Sequence, residues 1–277
     1  MIPQDSATVA IRRATGPSAR RYVPGRGIVS RILAALEFVG DFASVLARGL
    51  VPGNWRRSMR KEFSFYLYQV GVRGLPAIMI AAVLVGIGLI VQLIYWLGFT
   101  GMEERTGEFI VLALVRQIAP VGTVLIIIGR SGSVLVDEIG QLTRSGHMRQ
   151  LASHGIDPTD FITIPRAFAV AAAAFLLSNI FLHTALWSGY LAAEIAGLAK
   201  SSPLEFITEI VGIMSLNDHL LLIVKPLLTG YIVAYLSIWF GSRVGPGPHG
   251  VRRALPKAFV TSLITTFGVG GLITALL

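Results

Sequence analysis

The chain has 277 residues, of which 53% are apolar and only 14% charged, with a formal net charge of +9. A soluble domain of this size carries about 25% charged residues; here the deficit is concentrated in runs of about 20 nearly uncharged residues, the length that crosses the hydrocarbon core of a bilayer. The absence of cysteine excludes disulfide frameworks, thiolate zinc sites, iron–sulfur clusters and cysteine nucleophiles.

Residues 1–27 are rich in Arg, Pro and Gly without periodicity and read as a disordered basic tail; they lack the apolar core and small-residue cleavage site of a signal peptide. Residues 28–50 carry apolar positions at helical spacing interrupted by Arg31, Glu37, Asp41 and Arg48. That pattern predicts an amphipathic helix lying in the membrane interface, too charged to span. The turn 51–54 ends it, and Trp55 to Lys61 forms an aromatic-basic anchor. Residues 1–73 hold twelve Lys/Arg against four Asp/Glu. Beside a first span this marks the cytoplasmic side, facing anionic lipid, and gives no reason to expect nucleic acid.

Five spans follow at about 72–99, 109–129, 167–193, 219–241 and 258–277. Counting Lys and Arg only, the segments on the N-terminal side of the membrane hold twelve, four and four, and the opposite loops one each. The expectation is an all-α, multi-pass membrane protein, with the N-terminus cytoplasmic and the C-terminus on the opposite side. In span one Gly86-x-Gly88, and in span five Gly268, Gly270 and Gly271, offer close helix approach, either between subunits or within one. Arg116 and Pro120 interrupt span two, and Lys225-Pro226 interrupts span four, where a kink is expected. A charge within a span faces protein or water, so Arg116 is open to a structural role, a place on a substrate path, or snorkelling. No Asp or Glu falls inside the predicted spans, unlike an ion or proton carrier.

Between spans two and three, Gly129-Arg130-Ser131-Gly132-Ser133 lacks the spacing of a nucleotide loop and reads as a small-residue helix exit. The loop 130–166 is long for a bundle connection and is expected to hold one short helix lying across the bundle end, available to a soluble partner. Asp137 and Glu138 are adjacent, so on a helix they diverge and form no acid–base dyad. His147 and His154 have no third ligand at metal spacing, and no hydrolase, zincin or P-loop motif occurs.

Gly129 to Pro158 reads GRSGSVLVDEIGQLTRSGHMRQLASHGIDP, which resembles, without a gap, the central motif GRxGAAxAAELGxMxxxEQIDALxxMGIDP of MlaE/YrbE-type permeases. Val115 to Val121 resembles that family's LREIGPV, Ile164-Pro165-Arg166 its VPR, and Gly247 to Val260 its GAEGVGRATTRAVV. The resemblance covers about residues 60–277. It implies a non-catalytic permease subunit of the bacterial inner membrane, with its C-terminus periplasmic, working as a homodimer or as a heterodimer with a paralogue. A separate cytoplasmic ABC ATPase would hold the ATP and Mg, and this chain no cofactor. An MCE-domain protein would stand outside, and a phospholipid, commonly a glycerophospholipid, would be the cargo. On this resemblance Glu138, Gly140, His147, Met148, Arg149, Leu151 and Gly155 belong to the segment that couples to the ATPase. Arg116, Pro120, Gly86, Gly88 and Lys225 are placed on a lipid path or dimer seam. Two acids of the family motif fall on Gly146 and Arg149, which fits an ATPase with an acidic groove, one half of a diverged heterodimer, or weak coupling. The alternatives to a lipid permease are a non-transporting membrane scaffold for an MCE complex and a secondary transporter, for which no inverted repeat is visible.

Overall fold

The structure is a computed structural model that describes residues 28–51, 55–198, 202–245 and 249–277, with side chains from residue 36 onward. The basic tail and the turn at 52–54 lie outside the described residues. Among the described residues every regular element is helical. Helix α1 (Ile28–Leu50) is followed by five helical rods long and apolar enough to cross a membrane. Span one runs Arg57–Phe99, span two Glu103–Arg144, span three Thr159–Ile195, span four Leu216–Ser242 and span five Gly250–Leu276.

Spans one and two differ from the sequence expectation in length. At 43 and 42 residues they are each about 63 Å long at 1.5 Å per residue, roughly twice the hydrocarbon thickness. Span one begins as α2 (Arg57–Leu67), widens through a π-helical turn at Tyr68–Val72 and continues as α3 (Leu75–Phe99). Span two comprises α4 (Thr106–Ile110), a π-helical stretch Val111–Ile118, α5 (Ala119–Ile127), a second π turn Ile128–Gly132 and α6 (Ser133–Arg144). The expected helix exit at 129–133 is therefore a widened turn inside a continuing helix. No proline falls there, neither glycine has positive φ, and the Ser133 hydroxyl donates back to Gly129 O at 2.8 Å. The chain turns only at Gly146, whose φ of +80° favours glycine. A short helix exists here as α7 (His147–Ser153) and is closed by Gly155 at φ +75°. A π turn at Thr159–Thr163 leads into α8 (Ile164–Ile195).

The segment 194–218, read as a loop from sequence, contains α9 (Pro203–Ile213). Pro203 sits in its first turn, and Ser202 and Glu205 make a reciprocal capping box. Its hydrogen bonds to Ser202 hold the exposed Glu205 carboxyl below the usual carboxylate range. Span four is α10 (Leu216–Ser242), uninterrupted across Pro226, and span five is α11 (Gly250–Leu276).

Lipid tails are as apolar as leucine, so close packing rather than exclusion from water holds spans together, and small residues permit it. Span three supplies them: Ala167, Ala169, Ala173, Ala174 and Ala185 are fully buried. It packs extensively against spans one and four. Gly230 of span four abuts Ala174, where an added Cβ would come within 2.6 Å of the alanine methyl. Gly86, placed on an intersubunit seam or lipid path by sequence, is spent inside the chain. A Cβ there would collide with the Ala185 carbonyl and approach Ser188 Oγ to 2.6 Å, whereas Gly88 faces open space.

The two glycines should therefore respond differently to substitution. Gly86→Leu forces spans one and three apart and is expected to cost about 1–3 kcal/mol, the usual penalty for overpacking, while Gly88→Leu leaves the subunit intact. Thermal unfolding in detergent, followed by fluorescence or size exclusion, measures the contrast; equal midpoints would contradict this packing.

Candidate functional site

Two polar clusters interrupt the apolar bundle, one near each end. The first stands where the start of span three meets α2 of span one and α6 of span two. Arg166, in the first turn of α8, is only 8% exposed. Its Nη2 and Nε donate to Glu62 Oε1 at 2.9 and 3.1 Å, and its Nη1 donates to Glu138 Oε2 at 3.3 Å. The Tyr66 hydroxyl also donates to Glu138 Oε2, and the Arg166 guanidinium lies 4.2 Å from the centroid of the Tyr66 ring. One cation thus ties α2, α6 and α8. Buried guanidiniums are tolerated where planar donors meet carboxylates in this way. Asp137 points elsewhere, accepting from Gln141 Nε2 at 2.8 Å, so the adjacent acids do diverge.

The same end carries α7. Arg48 at the end of α1 reaches Asp157 at 3.5 Å and Asp160 at 3.2 Å, and Trp55 Nε1 donates to Gly49 O at 2.8 Å. Phe38 and Phe42 of α1 meet Tyr231, Tyr235 and Trp239 of span four edge to face at 5.0–5.4 Å. Helix α1 is therefore pinned both to the bundle and to the turn after α7.

The sequence-assigned coupling residues divide. His147, Arg149 and Gly155 are exposed, and Met148 and Leu151 turn partly onto the core. Glu138 and Gly140 do not join them: Glu138 faces Arg166, and Gly140 is buried where a Cβ would come within 2.8 Å of Val251. Both point inward because α6 is a packed continuation of span two.

The second cluster lies near the opposite end and unites residues that the sequence nominated separately. Lys225, two and a half turns into α10, is fully buried. Its Nζ donates to Arg116 O at 2.7 Å, to Thr274 Oγ1 at 2.8 Å and to Gln117 Oε1. The Arg116 carbonyl is free because Pro120, four residues on, has no N–H to offer. Arg116 Nε pairs with Asp218 Oδ1 at 2.5 Å, with the carboxylate side chain 1% exposed. Asp218 Oδ2 accepts from Ser215 N and Oγ at 2.8 and 2.7 Å. Asn217 Nδ2 donates to the Leu277 carbonyl at 2.7 Å. Spans two, four and five are thereby joined. Asp218 corrects the expectation that no acid enters the spans: it falls one residue outside the predicted start of span four, yet the helix buries it. Lys225 has only neutral acceptors, whereas Arg116 has one carboxylate. Among the described residues no group of three His, Asp or Glu is placed to hold a metal ion.

A family model described as Permease MlaE matches residues 63–276. The chain is 26% identical over 237 residues to a probable ABC transporter permease protein of Synechocystis sp., covering 86% of this chain and 87% of that one. It is 26% identical over 261 residues to the intermembrane phospholipid transport system permease protein MlaE of Haemophilus influenzae, covering 90% and 98%. It is 24% identical over 215 residues to the chloroplastic protein TRIGALACTOSYLDIACYLGLYCEROL 1 of Arabidopsis thaliana, covering 77% and 59%.

Removing one partner of a buried ion pair strands the other, at a cost of about 3–5 kcal/mol. Asp218→Asn is expected to lower stability by an amount approaching that range, whereas Glu209→Gln, on an exposed position of α9, is expected to stay within about 0.5 kcal/mol. Denaturation of the two variants in the same detergent compares them.

Proposed function

The chain belongs to the MlaE permease family, and from that premise we propose that it is the membrane subunit of an ABC transporter that moves phospholipid between the membrane and an external MCE-domain partner. A separate ATPase docks on α7 and its flanks. The observation that carries this reading is the build of the end bearing α7. Arg166 braces the ends of spans one and two against span three, and a short helix with exposed His147 and Arg149 follows directly on the end of span two. Such a helix gives a soluble motor a handle whose displacement reaches spans one, two and three through the Arg166 contacts. Asp157 and Asp160 are taken up by Arg48, so α7 offers Arg149 without a compensating acid, which suits an acidic groove on the ATPase.

The cluster at the other end supports the cargo class. A phospholipid needs apolar surroundings for its tails and a few polar groups for its head. Arg116, whose side chain is 35% exposed among apolar spans, suits a phosphate better than a cation, and Lys225 holds its backbone carbonyl in place from within. The Haemophilus relative is named for phospholipid transport, which points to the same class. We assign the α7 end to the cytoplasm and the C-terminus to the opposite side, because Lys and Arg crowd the segments at the α7 end. The permease pairs with a second copy or a paralogue.

Three measurements test this reading. Purified alone, the chain should hydrolyse no ATP, and turnover should appear only with the partner ATPase present. Arg149→Glu should weaken capture of that ATPase by at least about fivefold, on the scale of one lost charge pair; unchanged capture would remove α7 from the docking surface. Because the chain has no cysteine, single cysteines at Ser145 and Leu277 can be labelled in sealed vesicles with an impermeant maleimide, and the two should react from opposite sides.

A further inference from the structure

Span three carries a polar stripe that the bundle leaves open. Spans one, two and four pack against the other sides of α8. Along the remaining side a groove of about 470 Å³ runs past His183, Thr184, Trp187, Ser188 and Leu191, with Glu194 and Pro203 of α9 at its outer mouth. His183, Trp187 and Leu191 follow at helical spacing and are exposed, Trp187 to 55% and Leu191 to 56%. One turn further in on the same side, Asn179 is half-buried and donates to Phe175 O at 2.8 Å. Among the described residues His183 makes no hydrogen bond or ion pair. Span one fixes the depth. Gly86 meets Ala185, and Gly189 meets Ile90, so the two spans run side by side in the same direction. The exposed rings of Tyr95, Trp96 and Phe99 at the end of span one therefore stand level with the end of α8, and such rings mark the membrane–water boundary. His183 lies about 18 Å inward of Ile195 at 1.5 Å per residue, near the middle of a hydrocarbon core about 30 Å thick.

We propose that this groove is the docking site for a transmembrane helix of a different membrane protein, one that carries a hydroxyl or amide side chain at mid-membrane and Lys or Arg at its outer end. An acyl chain offers the His183 imidazole nothing to bond, and ionisable groups within a membrane face protein or water. Polar side chains at that depth join helices by hydrogen bonds across the contact. The outer mouth decides between a foreign helix and a second copy. Glu194 lines it, and Glu194 and Glu205 both stand within electrostatic reach of the Tyr190 phenol. Two copies in one membrane share their orientation, so a groove packed on itself would set these acids against their own counterparts, which is unfavourable. A helix with a basic outer flank meets them with opposite charge. The inference does not rest on the transport reading, because it follows from polarity and depth whatever the chain carries.

The test uses the full chain in the membranes of the cells that make it, with photoreactive benzoylphenylalanine in place of Trp187, Leu191 or, on the exposed side of span one, Leu84. After irradiation the cross-linked peptides are mapped by mass spectrometry. Positions 187 and 191 should capture the same foreign chain, within an apolar segment of about 20 residues whose outer end carries Lys or Arg, and position 84 should not. N179L/H183L should lower the yield at position 187 about three- to tenfold, the scale of one or two hydrogen bonds between helices. Circular dichroism and size exclusion confirm that the variant is folded; if it is not, H183L alone should lower the yield about threefold. Cross-links at 187 and 191 to lipid alone, to a second copy or to a soluble segment would overturn the proposal, as would equal capture at position 84. Unchanged yield in the folded leucine variant would remove the polar stripe from the contact.

Discussion

Arg166 is the contact on which the arrangement of one end of this protein depends. A guanidinium buried to 8% exposure is costly unless its donors are met. It is met by two carboxylates from two other helices, Glu62 and Glu138, under the ring of Tyr66. Removal of Arg166 leaves both carboxylates without their cation. The geometry is therefore held tightly, and α2 and α6 keep a fixed distance from the first turn of span three. The handle formed by α7 inherits its position from this brace, because Gly146 joins it directly to the end of α6 and the turn after it is clamped by Arg48.

The opposite end solves the same physical problem with less charge. Pro120 leaves the Arg116 carbonyl without its helical donor, and Lys225 supplies a replacement from another span. Arg116 then pairs with Asp218, which is itself fixed by Ser215 at the cap of α10. A proline and a lysine that look like separate interruptions of two helices thus complete one cross-span connection. Pro226, beside Lys225, leaves α10 uninterrupted.

The legible part of the fold was what depends on composition along the chain. The number of spans, a helix with amphipathic spacing at 28–50 and a short helix after span two all follow from hydropathy and spacing, and each is present. The helix ends were less legible. Gly129 to Ser133 look like a stop because glycine and serine are poor helix formers, but the backbone keeps its donors satisfied by widening into a π turn. The capping box at Ser202 and Glu205 was a readable signal for α9 that the surrounding acids obscured. At the sites, Arg116 and Lys225 stood out as charges in apolar runs, but their partners Asp218, Gln117 and Thr274 did not, since each is unremarkable in its own segment.

The sequence by itself determined that this is a five-span helical membrane protein, since every backbone group in a lipid-facing segment must be satisfied within its own helix and apolar length alone decides which segments qualify. It also carried the motif that places the chain in its family. Which charges neutralise which was decided only by the tertiary structure. Glu138, read as facing a partner, turns inward to Arg166, and Gly86, placed on a lipid path or intersubunit seam, is consumed between spans one and three. The reason is that a helical sequence fixes the angular order of side chains around one axis, whereas the face that becomes interior depends on how neighbouring helices approach. That approach is set by alanines and glycines on other spans, tens of residues away in the chain.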